Sequence, residues 1–179
     1  MMHEEWLQRL ANDIREKEHK AAEEAARARV RIQLLTAKGP VFWKAFADSL
    51  HENVLALRNL LEGDVTLTEG PLSFTFDPVT QQVQLAKAAF PAVQLAAVPH
   101  FEEETAEITY RSPGSGGEPA SMACRFGFTP DTRLMMHLDG RAFGSPAEAA
   151  TFITDRLFRL ATGSRREAQD SHLGRVGSE

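Results

Sequence analysis

A possible metal site is the first candidate for chemistry in this sequence of 179 residues. His100, Glu102 and Glu104 alternate along one segment, so an extended chain would place all three on one face, where they could bind a metal ion. The same residues suit a solvated acidic turn that follows Pro99, and we favour that interpretation. The sequence therefore predicts no metal site.

Two further segments resemble parts of enzyme sites but lack the neighbours that the chemistry needs. A nucleophilic Cys124 would need an adjacent base and an electropositive setting. It instead falls in the apolar phase of a strand, between Met122 and Phe126, which predicts a buried thiol. The glycine-rich segment 112–119 lacks the Lys-Ser/Thr ending of a phosphate-binding loop and joins two strands, so we interpret it as a flexible hairpin loop. We predict no catalytic residue and no cofactor.

One polar cluster could bind an anion. Arg125 lies in the polar phase of one strand, and Arg133 and His137 lie in the polar phase of the next. The register that keeps Phe126 on the apolar face places Arg125 opposite His137 or Met135, with Arg133 nearby. The alternative is a solvated sheet face with scattered charges, and the sequence leaves both open.

An antiparallel sheet must position these residues. From residue 64 onward apolar and polar residues alternate with a period of two, in short runs separated by turn signals such as Asp139-Gly140. The runs centre on residues 65–67, 72–76, 83–85, 93–97, 106–110, 122–128 and 134–138. They predict a meander of six or seven strands with one apolar and one polar face. Predicted core residues are Phe74, Ile108, Phe126 and Leu138; predicted accessible residues are Thr75, Glu107, Arg125 and His137.

Helices flank the predicted sheet, which makes the fold class α+β. Residues 3–37 are mostly strong helix formers, Gly39-Pro40 indicates a break, and residues 41–62 show a second helical stripe. So short a connection predicts an antiparallel helical hairpin. Ser145 to Glu148 has the pattern of a capping box that opens a helix over 146–161. We divide the chain into a long helix (1–38), an α+β domain (39–163) and a polar, flexible tail (164–179).

The first helix carries a seam typical of coiled coils. Its positions step by four and three residues and are Leu7, Ala11, Ile14, Glu18, Ala21, Ala25, Ala28, Ile32 and Leu35. Acids predominate in residues 1–24, while residues 25–38 contain bases and no acid. We predict self-association as an antiparallel pair centred on Ala21, with Leu7 against Leu35 and Ile14 against Ala28. The residues assigned to this surface are Trp6, Leu7, Leu10, Ala11, Ile14, Ala21, Ala25 and Ala28.

Composition limits the function classes. The net charge of -5 disfavours nucleic-acid binding, and no apolar run is long enough for a membrane span. The acidic start does not resemble a secretory signal, and the single cysteine makes an oxidising compartment unnecessary, so we expect a cytoplasmic protein. We favour a non-enzymatic interaction or adaptor protein that forms a homodimer and has a possible protein partner. The alternatives are a small-ligand binder that uses the polar sheet face or a sheet–helix pocket, and an enzyme.

Overall fold

The protein has an α+β fold with one long helix at its start. A computed structural model describes residues 2–60, 72–88 and 92–159. Helix α1 (Met2–Leu60) precedes a sheet of seven strands, and helix α2 (Pro146–Phe158) follows it. The strands are β1 (Leu72–Phe76), β2 (Val83–Lys87), β3 (Val93–His100), β4 (Thr105–Arg111), β5 (Ala120–Phe128), β6 (Leu134–Leu138) and β7 (Arg141–Phe143). Short 3-10 turns at Phe101–Glu103 and Pro113–Ser115 connect β3 to β4 and β4 to β5.

The sheet is an antiparallel meander whose spatial order is the chain order, β1 to β7. This confirms the predicted topology, because short links between alternating runs leave sequential strands as neighbours. Strand β7 was not predicted; it has only three residues and follows the two-residue turn at Asp139 and Gly140, which both have positive φ. The predicted strand at 65–67 and the tail 164–179 lie outside the described residues.

One face of the sheet forms the core. Ile108, Phe126 and Leu138 are buried as predicted. Phe74 is only half-buried, because it lies on the edge strand β1. The ring of His51 from α1 stacks on the Phe74 ring, with 4.3 Å between the ring centroids. On the opposite face, which we call the outer face, Thr75, Glu107 and Arg125 are exposed, whereas His137 is half-buried.

The predicted helical hairpin is wrong, because α1 continues through Gly39 and Pro40 as a single helix of 59 residues. At 1.5 Å per residue it spans about 88 Å. Within the described residues, no helix is both long enough and apolar enough to cross a membrane. The boundary that we drew between residues 38 and 39 therefore falls inside a helix.

Burial on one continuous stripe explains why the helix does not break. Leu35, Gly39, Trp43, Phe46 and Leu50 are all buried, and their steps of four and three residues run across Gly39-Pro40 without a change of phase. An interior proline costs a helix about 3 kcal/mol and a glycine about 1 kcal/mol. Each fully buried large apolar side chain contributes about 1.5–3 kcal/mol, so the stripe outweighs both.

Gly39 has a packing role rather than a capping role. A Cβ atom added to it would lie 2.7 Å from Cε1 of Phe101, in the 3-10 turn after β3. The Phe101 ring also packs on Phe126, with 5.5 Å between the ring centroids, so it has little room to retreat. Glycine at this position lets the helix approach the turn closely.

Two polar contacts flank that approach. Arg31 Nε donates to Glu104 Oε1 at 2.9 Å, and Lys38 Nζ donates to the carbonyl of Thr132, in the turn between β5 and β6, at 2.7 Å. Together with the packing of Gly39 on Phe101, we call these the helix-exit contacts. They hold α1 at the point where it passes the end of the sheet.

Helix α2 completes the cover of the core face. It buries Ala149, Ala150, Ile153 and Leu157 and packs beside the second half of α1. Its start after Ser145 was predicted, but the capping box was not found, because the Ser145 side chain makes no capping hydrogen bond. The backbone carbonyl of Ser145 accepts from the N–H of Ala149 instead, and Pro146 occupies the first turn.

The close contact at Gly39 predicts an unusual sign for Gly39→Ala. Helix propensity alone favours alanine by about 1 kcal/mol. The clash with Phe101 should reverse this and lower the free energy of unfolding by about 1–3 kcal/mol in a denaturant titration. In a Phe101→Ala background the same substitution should stabilise the protein. A gain in stability from Gly39→Ala in the otherwise unchanged chain would contradict this account.

Candidate functional site

The first half of α1 projects from the domain. Residues 4–30 are exposed, apart from Ala11 and Ala28, which are half-buried. We call this segment the arm; its 27 residues span about 40 Å. It ends where the helix-exit contacts begin, at Arg31, and it carries all the residues that the sequence assigned to self-association.

The arm is helical because its residues favour a helix and because the rest of α1 is already helical. Salt bridges one turn apart join Glu16 to Lys20 at 2.7 Å and Glu23 to Arg27 at 3.7 Å, and His19 Nε2 lies 3.1 Å from Glu23 Oε1. Exposed pairs of this kind contribute only about 0.3–0.5 kcal/mol each. Propagation from a packed helix, however, avoids the unfavourable nucleation step that makes isolated helices marginal.

Large apolar side chains lie exposed on the arm. Leu7, Leu10 and Ile14 have exposed fractions of 47, 41 and 48 %, and Trp6, next to them, has 56 %. They occupy the first half of the arm, whereas the seam positions of its second half are alanines, including the exposed Ala21 and Ala25. On one side of the arm, large apolar side chains therefore occupy the first half and alanines occupy the second half.

The register that we predicted for the paired arms is wrong in one respect. Leu35 is fully buried against the domain, so no surface of it is available to Leu7 of a second chain. The pair cannot be centred on Ala21 with Leu7 against Leu35. A pair formed through this helix would have to use the arm itself, whose middle lies near residues 17 and 18.

On the outer face of the sheet, the structure brings together two of the three residues predicted to bind an anion. Arg125 on β5 lies directly opposite His137 on β6, and Thr105 on β4 lies opposite Arg125 on the other side. The three residues are among those that line an open depression of about 590 Å³, which Ala123 and Gly140 also border. The alternation of the two strands predicted this register correctly.

Arg133 does not join this group. Its Nε lies 2.7 Å from Asp131 Oδ2, in the turn between β5 and β6. The hydrogen bond from Thr129, and then that from Arg133, lower the pKa of Asp131, which keeps its carboxylate charged beside the arginine. The sequence could not show this partner, because both residues follow a turn whose conformation sets their orientation.

The structure does not form the other sites weighed from the sequence. Glu104 points toward Arg31 rather than toward His100, and the described residues contain no group of three potential metal ligands. The glycine-rich loop takes a defined 3-10 turn in which Ser115 Oγ lies 3.2 Å from the Ser112 amide and 2.9 Å from its carbonyl oxygen. No helix follows this turn, so it has no resemblance to a phosphate-binding loop.

Cys124 is a core thiol. It is 4 % exposed and shares the inner face of β5 with Met122 and Phe126. Burial raises the pKa of its thiol to about 12, against a smaller opposite effect of a hydrogen bond with the backbone of Ala106. The reactive thiolate is therefore scarce near neutral pH.

We expect native Cys124 to resist a thiol reagent at about pH 8 and to react rapidly once the chain is unfolded in denaturant. Ala123→Cys is the matched control, because residue 123 is adjacent on the same strand but exposed on the outer face. That variant should take up one label per chain without denaturant. Fast labelling of the unmutated folded protein would contradict the assignment of Cys124 to the core.

Two surfaces thus remain as candidates: the apolar side of the arm and the Arg125–His137 region of the outer face. Comparison with known proteins finds no matching family model, no similar curated protein and no similar solved structure.

Proposed function

We propose that this chain is a non-enzymatic interaction protein that self-associates through its arm as an antiparallel homodimer. The observation that carries the proposal is the exposed apolar side of a helix that projects past the domain. Exposed contiguous apolar side chains of this size are typical of interaction surfaces. The occupant that fits best is a second copy of the same arm.

Side-chain size supports the antiparallel arrangement. A pair centred between residues 17 and 18 places Leu7 opposite Ala28, Leu10 opposite Ala25 and Ile14 opposite Ala21. Each of these three side chains then faces an alanine, which lets the two helices approach closely along the seam. A parallel pair would instead set large side chains against each other in one half and leave alanines facing alanines in the other.

Charge supports the same arrangement. Glu4 and Glu5 lie near the start of the arm, whereas Arg27 and Arg29 lie near its end, and residues 25–30 contain no acid. Antiparallel arms place the acidic start of one beside the basic end of the other. In a parallel pair, like charges would lie side by side at both ends.

The position of the helix in the domain favours pairing over docking on the same chain. The helix-exit contacts fix α1 on the core face, and its continuation carries Leu7 and Leu10 about 30–40 Å beyond Arg31. A chain that folded the arm back onto its own sheet would have to break the helix, and the buried stripe across Gly39 opposes a break there.

We also place the protein in the cytoplasm, since its only cysteine is a buried free thiol.

We expect the intact chain to have the molar mass of a dimer in light scattering at tens of micromolar. A dissociation constant near 1 μM corresponds to about 8 kcal/mol, and burying several unpaired carboxylates costs more than this. Leu7→Glu combined with Ile14→Glu should therefore give a monomer with unchanged helix content by circular dichroism.

The matched control is Gln8→Glu combined with Asn12→Glu, which adds the same charge to the arm away from the seam and should leave the dimer intact. A monomeric unmutated chain, or a double mutant at Leu7 and Ile14 that stays dimeric, would refute the proposal. Orientation can be tested separately with Leu7→Cys, which should not form an intermolecular disulfide in an antiparallel pair but would do so in a parallel one.

A further inference from the structure

We propose that the depression around Arg125 and His137 on the outer face binds a small oxyanion, either a phosphate or a carboxylate group carried by a small molecule. This site is independent of the arm and of self-association. It rests on three donors that the sheet register brings side by side, on the depression that these residues line, and on the lack of a carboxylate partner for Arg125 among the described residues.

The sheet places the donors in one row. Thr105, Arg125 and His137 are direct cross-strand neighbours on β4, β5 and β6. Adjacent strands lie about 5 Å apart, so a hydroxyl, a guanidinium and an imidazole point from the same face within reach of one ligand group. Because all three lie on regular strands, their backbone positions are fixed without the ligand.

Gly127 lets the imidazole of His137 pack closely over the backbone of β5. It is the next outer-face residue of β5 after Arg125, and a Cβ atom added to it would lie 3.3 Å from Nε2 of His137. Any larger residue would press on that nitrogen. Glycine at this position therefore allows the His137 ring to keep its place beside β5.

Arg125 has no competing carboxylate among the described residues. Arg31, Arg133 and Arg156 each pair with a carboxylate at 2.7–3.1 Å, whereas the Arg125 and His137 side chains make no ion pair or hydrogen bond within the part of the chain that the structure describes. An unpaired guanidinium beside a second donor is suited to recognise an oxyanion.

Two acidic residues near the site, Asp139 and Glu107, differ in how they should affect the binding of an anion. Asp139 is occupied, because its Oδ1 accepts from the Ala123 amide at 3.1 Å and its Oδ2 lies 3.1 Å from Arg156. Glu107 lies opposite Ala123 on the outer face, which makes it a diagonal neighbour of Arg125. Its exposed carboxylate should weaken the binding of an anion, so its removal should strengthen binding.

The chemistry fits both kinds of oxyanion. The planar guanidinium can donate two parallel hydrogen bonds to either a phosphate or a carboxylate, and a depression of about 590 Å³ has room for more than the anionic group alone. Inorganic phosphate and citrate serve as the two probes: phosphate tests for a phosphate ligand, and citrate tests for a carboxylate ligand.

The test is an NMR titration of the isotope-labelled full chain with each probe, at constant ionic strength. We expect saturable amide shifts centred on Thr105, Arg125 and His137 for at least one probe. Arg125→Gln should raise the dissociation constant about tenfold, the size expected for a lost charge-assisted hydrogen bond. Arg125→Lys should have a dissociation constant between those of the unmutated chain and Arg125→Gln, because lysine keeps the positive charge but cannot donate two parallel hydrogen bonds. Glu107→Gln should lower the dissociation constant.

Arg111→Gln is the matched control, since Arg111 is exposed on the same face at the far end of β4. It removes the same charge and should leave the dissociation constant unchanged. The proposal is overturned if neither probe gives saturable shifts, or if Arg111→Gln weakens binding as much as Arg125→Gln does. The probe that binds more tightly identifies the class of ligand. An unchanged amide spectrum outside the site shows that each variant is folded.

Discussion

The architecture depends on one buried stripe that crosses a sequence expected to end a helix. Leu35, Gly39, Trp43, Phe46 and Leu50 lie on a single face of α1 and cover the inner face of the sheet. Because this stripe keeps the backbone helical through Gly39-Pro40, the residues that precede it continue in the same direction. The same packing therefore builds the core and projects the arm. Without it, the first helix could fold back on the second, and its apolar side would be covered within the chain.

That constraint also separates the two candidate surfaces. The helices occupy the inner face of the sheet, so the row of Thr105, Arg125 and His137 is left on the outer face. The arm leaves the domain past the turn that holds Phe101 and Glu104, through the helix-exit contacts. A homodimer formed through the arms would keep both outer faces accessible, which makes ligand binding and self-association compatible in one assembly.

Local patterns in the sequence determined the sheet well. The alternation around Phe126, Leu134 and Met136 gave the register that sets Arg125 opposite His137, because a slip of one residue would turn the apolar side chains outward. The contacts of Arg133 and Glu104 could not be predicted in the same way. Arg133 pairs with Asp131 in a turn, and Glu104 pairs with Arg31 on a helix that is distant in the sequence. The spacing of apolar residues carries no information about such contacts.

The predicted helical hairpin is wrong because the local preferences of Gly39 and Pro40 do not decide the conformation at these positions. The signal that opposes this interpretation was present, since Leu35, Gly39 and Trp43 are spaced by four residues and join the two apolar stripes. Tertiary burial outweighed the local cost of both residues. Strand β7 was missed for a related reason, because three residues at a sheet edge are too few to show alternation.

The central claim is that a continuous helix presents its arm to a second copy in antiparallel orientation. A spin label on Gln8→Cys tests it directly by pulsed electron resonance, since the buried Cys124 should not be labelled. The two labels would lie 19 residues apart along the paired helices, or about 28 Å, with a further 8–10 Å between the helix axes. We predict one intermolecular distance near 30 Å. The absence of any intermolecular distance would contradict the account.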